Sequence, residues 1–225
     1  MAQESNLPIR GKESLADKAY RLLEELIVNL DLSPGMPVTE GDLCEHLNIG
    51  RTPVREAIKR LSTEGLIIVQ PRKGLFVSHI EPAEYVLVLE TRRPLERLLV
   101  ESVVLRATNE ERAHLSLCGQ EMMRLAKLGD VKGFLKADWA FDEVLCAVSR
   151  NPFTARSVAP LQTISRRAWS AFRGPERIID SAMLHHALAD AIAKQDVKMA
   201  DQATCQLIDH LTAFASGQVL DSISA

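Results

Sequence analysis

Aromatic side chains are scarce in this sequence: Phe, Tyr and Trp supply 4% of its 225 residues, while Leu, Ala and charged residues abound. That balance favours helices and argues against a β-sandwich. Cysteine is sparse too, and Cys44, Cys118, Cys146 and Cys205 lie far apart with no CxxC pair. They read as small buried residues of a reducing compartment, not as disulfide staples or a zinc knot. No run of about 18 apolar residues occurs, and the opening MAQESNLPIRGK lacks the apolar stretch of a signal peptide. Neither export nor membrane spanning is indicated, so the expected setting is the cytoplasm with no membrane partner. Internal repeats and low-complexity segments are missing as well. There is also no general excess of basic charge, since the net charge is -3. Any anionic partner must therefore be met by a local patch.

What is present can fill a sizeable core, because 46% of the residues are apolar and the length suits one large domain or two small ones. Leu15, Ala19, Leu22, Leu23, Leu26 and Ile27 recur at helical spacing and predict a helix over 14–29, with Ser14 as its cap. SPG at 33–35 forces a turn. Short helices follow at 40–47 and 52–64, separated by Asn48 and Gly50. Pro53 suits the first turn of the latter helix and Gly65 its end. LIIVQ and GLFVS, separated by PRK, signal a β-hairpin. Beyond residue 81 the pattern changes to long helices over 81–107, 109–128, 130–149, 152–172, 175–194 and 197–217. Thr108 followed by Glu111 forms a capping box at one start, and IEPAE at 80–84 is the expected linker. The fold class read from this order is mostly α: three helices with a hairpin wing, then an all-α antiparallel bundle. The expected divisions are a flexible tail over 1–13, a first domain over 14–79 and a second over 80–225.

Charge is concentrated in one place. Residues 51–73 hold Arg51, Arg55, Lys59, Arg60, Arg72 and Lys73 against Glu56 and Glu64, an excess of four positive charges in an acidic chain. On the third helix Val54, Ala57, Ile58 and Leu61 form the buried stripe, while Arg51, Thr52, Arg55 and Lys59 crowd the start and the outward side. A helix N-terminus carries free N–H groups and a positive dipole end, and a short helix held across a tight turn can enter a major groove. Arginine can also bond bidentately to guanine, which makes such a surface sequence-selective. The alternative is an ordinary solvated helix face.

The segment GRTPVREAIKRLSTEGLIIVQPRKGLFVS resembles the winged helix-turn-helix of GntR-type bacterial transcription regulators, whose signature is SRTPVREAL, a Leu-x-x-EGL run and a hairpin with Gly. The resemblance covers residues 14–78. It implies that Arg51, Thr52 and Arg55 touch bases and phosphates, that Gly74 at the wing tip permits close backbone approach to the minor groove, and that Arg72 and Lys73 hold phosphate beside it. Gly50 stands where the family usually has Ser or Thr, and Gly41 where it often has Arg. Further on, ETRRPLERLLVESVVLRAT resembles the first helix of the FCD effector domain of the FadR-like subfamily, with Arg92, Leu95 and Glu96 matching. DWAFDEVLCAVSRNP and HHALADAIAKQD resemble later motifs of the same domain, and the match spans 81–215.

Many members of that family bind a divalent metal through an Asp and three His, with a small carboxylate completing the site. Carried over, Asp138 takes the first position, Asp142 stands where His is usual, His185 takes the third, and the fourth falls on Leu207, with His210 three residues beyond. The resemblance thus implies Zn, Ni or Mn on Asp138, Asp142 and His185, with His210 able to swing in as a fourth ligand, and a carboxylate effector paired with Arg92 and near Asn151. Independently, Asp138 and Asp142 share one helical face, and two carboxylates with an imidazole suit a harder divalent ion. Plainer roles stand beside these. The carboxylates can pair with a buried cation such as Arg92, Arg166 or Arg167 can also turn inward toward them, His185 can be a satisfied core histidine, His186 points to solvent, and Asn151 can cap the next helix.

Together these features point to a dimeric, ligand-responsive transcription regulator, a repressor on a short palindromic operator released by a small organic acid. The alternative keeps the dimer and the DNA but lets the helical domain sense nothing. A metalloenzyme built on Asp138, Asp142 and His185 lacks a nucleophile and leaves the basic segment without purpose, so no enzyme activity is expected.

Overall fold

In the computed structural model of the protein, which describes residues 13–172 and 177–224, Ser14 caps the first helix by accepting from the Asp17 N–H at 3.1 Å. Helix α1 spans Leu15–Val28, α2 Glu40–Leu47 and α3 Arg51–Thr63. Thr39 caps α2 by accepting from the Asp42 N–H, and Asn48 ends it in the left-handed conformation at φ 51°. Ala19, Leu23, Ile27, Leu43, Val54, Ala57, Ile58 and Leu61 are buried together with Leu66, Ile67 and Val77. This is the stripe that the helical spacing predicts, and burying it holds α3 against its neighbours while its other face stays wet.

The hairpin forms from β2, Ile67–Gln70, and β3, Gly74–Val77, with Gln70 opposite Gly74. A further strand was not foreseen: β1, Pro37–Val38, pairs antiparallel with β3, and the sheet order is β1-β3-β2. Its proline lies at the start of an edge strand, where a missing N–H is tolerated. Together these elements make a winged helix-turn-helix.

The chain divides into two units, one ending at Ser78 and the other running from His79 onward and including Val28–Asp31. The second unit is all helix: α4 Pro82–Arg106, α5 Asn109–Lys127, α6 Val131–Val148, α7 Pro152–Phe172, α8 Arg177–Ala193 and α9 Val197–Ser224. The Thr108–Glu111 capping box closes the start of α5 in both directions. Helix α4 packs on α7 and α9, and α5 packs on α6 and α8. Tyr85, Leu89, Leu99, Leu115, Met122, Phe134 and Phe141 fill the bundle core. Helix α9 runs past the expected end at 217 because Gly217 does not break it. The expected tail lies outside the described residues except for Glu13, as do the first two positions of the helix expected from 175. The four cysteines are free thiols, and no described helix is long and apolar enough to cross a membrane.

Candidate functional site

Two places in the protein collect chemistry, one in each unit. In the first, Arg51, Thr52, Arg55 and Lys59 are all exposed on α3. Gly50 caps that helix with no side-chain hydrogen bond, so the first-turn N–H groups have no side-chain acceptor at the cap and remain available to an anion. The hydroxyl that the family usually places there would compete for them. Arg55 is held by Glu40 of α2, Nε to Oε2 at 2.6 Å, with both side chains largely exposed. Such a pair contributes little stability and yields readily to a phosphate. Arg60 differs: its guanidinium lies 3.9 Å over the Tyr20 ring and donates to Asp17 at 2.8 Å. It braces α1 and is not part of the open surface.

At the wing the Lys73 N–H donates to the Gln70 carbonyl at 3.1 Å, with Pro71 and left-handed Arg72, φ 65°, between them. Proline followed by a positive φ is the geometry of a tight type II turn. It exposes Arg72 and Lys73 side by side. Gly74 follows at φ 107° with open space where a Cβ would stand, so any other residue would be strained by its backbone and not by a neighbour.

The second place is a small cavity inside the helical unit, of about 30 Å³, lined by Arg92, Asp138, Asp142, Arg166, His185 and Leu207 among others. That is room for about two water molecules. Arg92 and Glu96, both buried, sit one turn apart on α4. Arg92 donates to Glu96 Oε1 through Nε at 3.1 Å and Nη2 at 2.6 Å, and Gln162 donates to the same oxygen at 3.0 Å. Arg166, on α7, bridges the two aspartates of α6: Nε to Asp138 Oδ2 and Nη2 to Asp142 Oδ2, each at 2.6 Å. His185, on α8, faces Asp138 Oδ1 through Nε2 at 2.9 Å and the Ser181 carbonyl through Nδ1 at 2.8 Å. Phe134 and Phe141 stand edge-on to the imidazole.

These contacts set the charges. Burial works against ionising Asp138, yet Arg166 and His185 beside it hold its carboxyl well below the usual carboxylate range. Burial and the Asp138 charge push Asp142 up against the pull of Arg166. Burial depresses His185, but the hydrogen bond and charge of Asp138 outweigh it and raise the imidazole above its ordinary value.

The cluster brings together Arg92, Asp138, Asp142 and His185 as the sequence pattern suggests, but the partner of the aspartates is Arg166 and not Arg92. Asn151 stands elsewhere: its Oδ1 accepts from the Thr154 N–H at 3.3 Å and caps α7, and it does not line the cavity. His210 is half-buried and is also missing from the lining, which Leu207 and Leu211 supply from α9. His186 is exposed. Glu96, Gln162 and Arg166 are the members that residue-by-residue reading left without their partners. Gln162, Ser165 and Arg166 fall at helical spacing on one face of α7, and that polar stripe is the signal that marks them.

A divalent metal does not fit this donor set. Both ring nitrogens of His185 meet oxygen acceptors, so both carry hydrogen and neither offers a lone pair. Arg166 fills the space between the carboxylates, and the fourth position is the hydrocarbon of Leu207. Among the described residues no group of three or more His, Cys, Asp or Glu is arranged to hold a metal ion. Of the expected metal set, Asp138, Asp142 and His185 line the cavity and His210 does not.

Comparison with known proteins agrees with both units. Residues 15–77 match the model of bacterial regulatory proteins of the gntR family, and residues 87–210 match the FCD domain. The chain belongs to the GntR family, in its FadR-like branch with an FCD domain. It is 29% identical over 82% of its length, and 78% of the other's, to an HTH-type transcriptional regulator in an unstable DNA locus of Streptomyces ambofaciens. It is 38% identical to the HTH-type transcriptional repressor RspR of Escherichia coli over 65 residues, 29% of this chain and 28% of that one. In fold it is similar to E. coli McbR/YncC, with a TM-score of 0.79 at 20% identity, covering 92% of this chain and 99% of that one. This GntR regulator binds DNA through its winged helix, and its family is one of regulators and not of enzymes.

Proposed function

We propose that the protein is a cytoplasmic homodimeric repressor that reads a short palindromic operator and leaves it when a small organic acid binds the helical domain. The observation that carries the reading is the exposed set Arg51, Thr52, Arg55 and Lys59 at the uncapped start of α3. Arg51 and Arg55 reach base edges and phosphates, Thr52 and Lys59 hold the strand, and Arg72, Lys73 and Gly74 bring the wing against the minor groove. The name of RspR, a repressor similar to this chain over 65 residues, supports the sign of control.

The cavity supports the effector half. It has room for about two waters, so an acid gains a place only if the cluster opens, with its carboxylate replacing Glu96 on Arg92 through the bidentate fork. A ligand that binds only the opened form shifts the population toward it, and a coupling of about 1 to 3 kcal/mol gives a 5- to 150-fold response. One observation favours a second reading, a regulator whose helical domain senses nothing: each cation named in the cluster already has a protein acceptor. Selection from random DNA followed by melting scans against a panel of small carboxylates separates the two. The first reading expects an enriched palindrome and a stabilising acid whose effect is lost in Arg92→Ala. Enrichment with no acid leaves the second, and no enrichment overturns both.

A further inference from the structure

Between Asp138 and Asp142 the charge that makes two neighbouring buried carboxylates tolerable comes from a side chain. We propose that Arg166 is the resident cation of this site, filling with a guanidinium the place a divalent ion would take, and that the helical unit is therefore metal-independent. The bridge from Nε to Asp138 and from Nη2 to Asp142, each at 2.6 Å, has the short lengths of charge-assisted bonds. The Arg166 side chain is 5% exposed and its partners are 13% and 14% exposed. An arginine keeps its charge at any pH the protein meets, so this cation is present whatever the metal supply.

For an ion to bind instead, three changes must occur together. Arg166 must leave both carboxylates, which strands a buried guanidinium. His185 must give up the proton it directs at Asp138, because metal ligands bind deprotonated. A fourth donor must also come from α9, where Leu207 lines the cavity. The same geometry predicts how to reverse the assignment. Removing the guanidinium vacates space in the cavity that Asp138, Asp142 and His185 line, and a histidine at 207 adds an imidazole to that lining. Two carboxylates and two imidazoles suit Zn, Ni or Mn.

The test uses the full chain, with metal content by mass spectrometry and thermal melts in Zn²⁺, Ni²⁺ or Mn²⁺, each with and without a chelator. The natural chain is expected to carry far less than one equivalent of any of the three ions after dialysis, with melts that superimpose with and without the chelator. Arg166→Ala combined with Leu207→His is expected to take up about one ion per chain and to melt higher with it. If that variant is unfolded in chelator, added ion is expected to restore its helical signal, and Arg166→Gln with Leu207→His, which keeps the side-chain length, gives a second reading of the same gain. A natural chain holding one equivalent of ion, with a melting temperature that falls in chelator, overturns the proposal. So does the failure of both variants to bind or be rescued by any of the three ions. Neither outcome depends on the effector, which is scored on carboxylates alone.

Discussion

His185 meets an acceptor at each ring nitrogen, and those two contacts decide how stability follows pH. Burial lowers its affinity for a proton, but Asp138 and the Ser181 carbonyl overcome that and raise it. A histidine whose folded value lies above its unfolded one, about 6.5, contributes fully below that pH and loses its contribution as pH rises through the folded value. Asp142, raised by burial and by Asp138, acts in the same direction, since its retained proton is lost as pH increases. Asp138 is depressed, so its contribution is present above about pH 3.9 and disappears as pH falls. Stability to urea should therefore be greatest in mildly acidic solution, begin to decline above about pH 3.9 as Asp142 loses its proton and decline further above about pH 6.5 as His185 does, with a shallower decline in His185→Gln. A natural profile that rises between neutrality and pH 9, the upper end of the scan, at about constant ionic strength, would contradict this charge assignment. At the other site the same scale applies to Arg51 and Arg55, both exposed. Arg51→Ala and Arg55→Ala should each weaken specific DNA binding by about 1 to 3 kcal/mol and leave the melting curve in place. Unchanged anisotropy titrations on a selected operator for both variants would show that α3 is not the recognition helix.

Helix ends carry the next prediction. Asn151 caps α7 through the Thr154 N–H, so Asn151→Ala should cost about 0.5 to 2 kcal/mol of stability while leaving the acid response unchanged. A variant of normal stability that no longer responds to acid would restore Asn151 to the ligand site. This element also shows what local sequence can and cannot announce. Ser14, Thr108 with Glu111, and the Pro71–Gly74 turn declare themselves because caps and tight turns depend on residues three or four apart. The buried stripe of α3 is legible for the same reason. The strand Pro37–Val38 is not, since two residues hold no period and the pairing is supplied by β3, far along the chain. Gly217 looks like an end and is not, because a tertiary face or a long helix can absorb one glycine. The Arg166 bridge spans 28 and 24 residues of sequence to its two aspartates. Spacing that long lies outside any helical or strand period, so the sequence offers Arg166 and Arg167 equally as cations able to turn inward and does not decide between them.

At the scale of the whole molecule, one winged helix presents a single recognition helix, and a single helix reads too few base pairs to find a site in a genome. A two-fold dimer doubles the contact and matches a palindrome, with half-sites about one helical turn, or a multiple of it, apart. The proposed dimer has a candidate surface on α4. Leu87, Leu98 and Leu105 are 62%, 46% and 69% exposed, and their spacing places them on one side of the helix together with exposed Thr91, Pro94 and Glu101. Arg93 and Arg97, by contrast, are engaged with Asp209 and Asp201 of α9. A row of large apolar residues left to water along a helix is a mark of an interface. The natural protein at micromolar concentration should therefore sediment with twice the mass of its chain. Leu98→Glu with Leu105→Glu should shift it toward the monomer without lowering the helical signal, since neither side chain belongs to the core. The same variant should lose operator affinity far beyond any direct contact, because the second half-site then binds as a separate molecule and not at the effective concentration of a linked one. Binding to a single half-site should be unchanged. Natural protein that sediments as a clean monomer, or a double variant that dimerises and binds the palindrome as before, would remove α4 from the assembly.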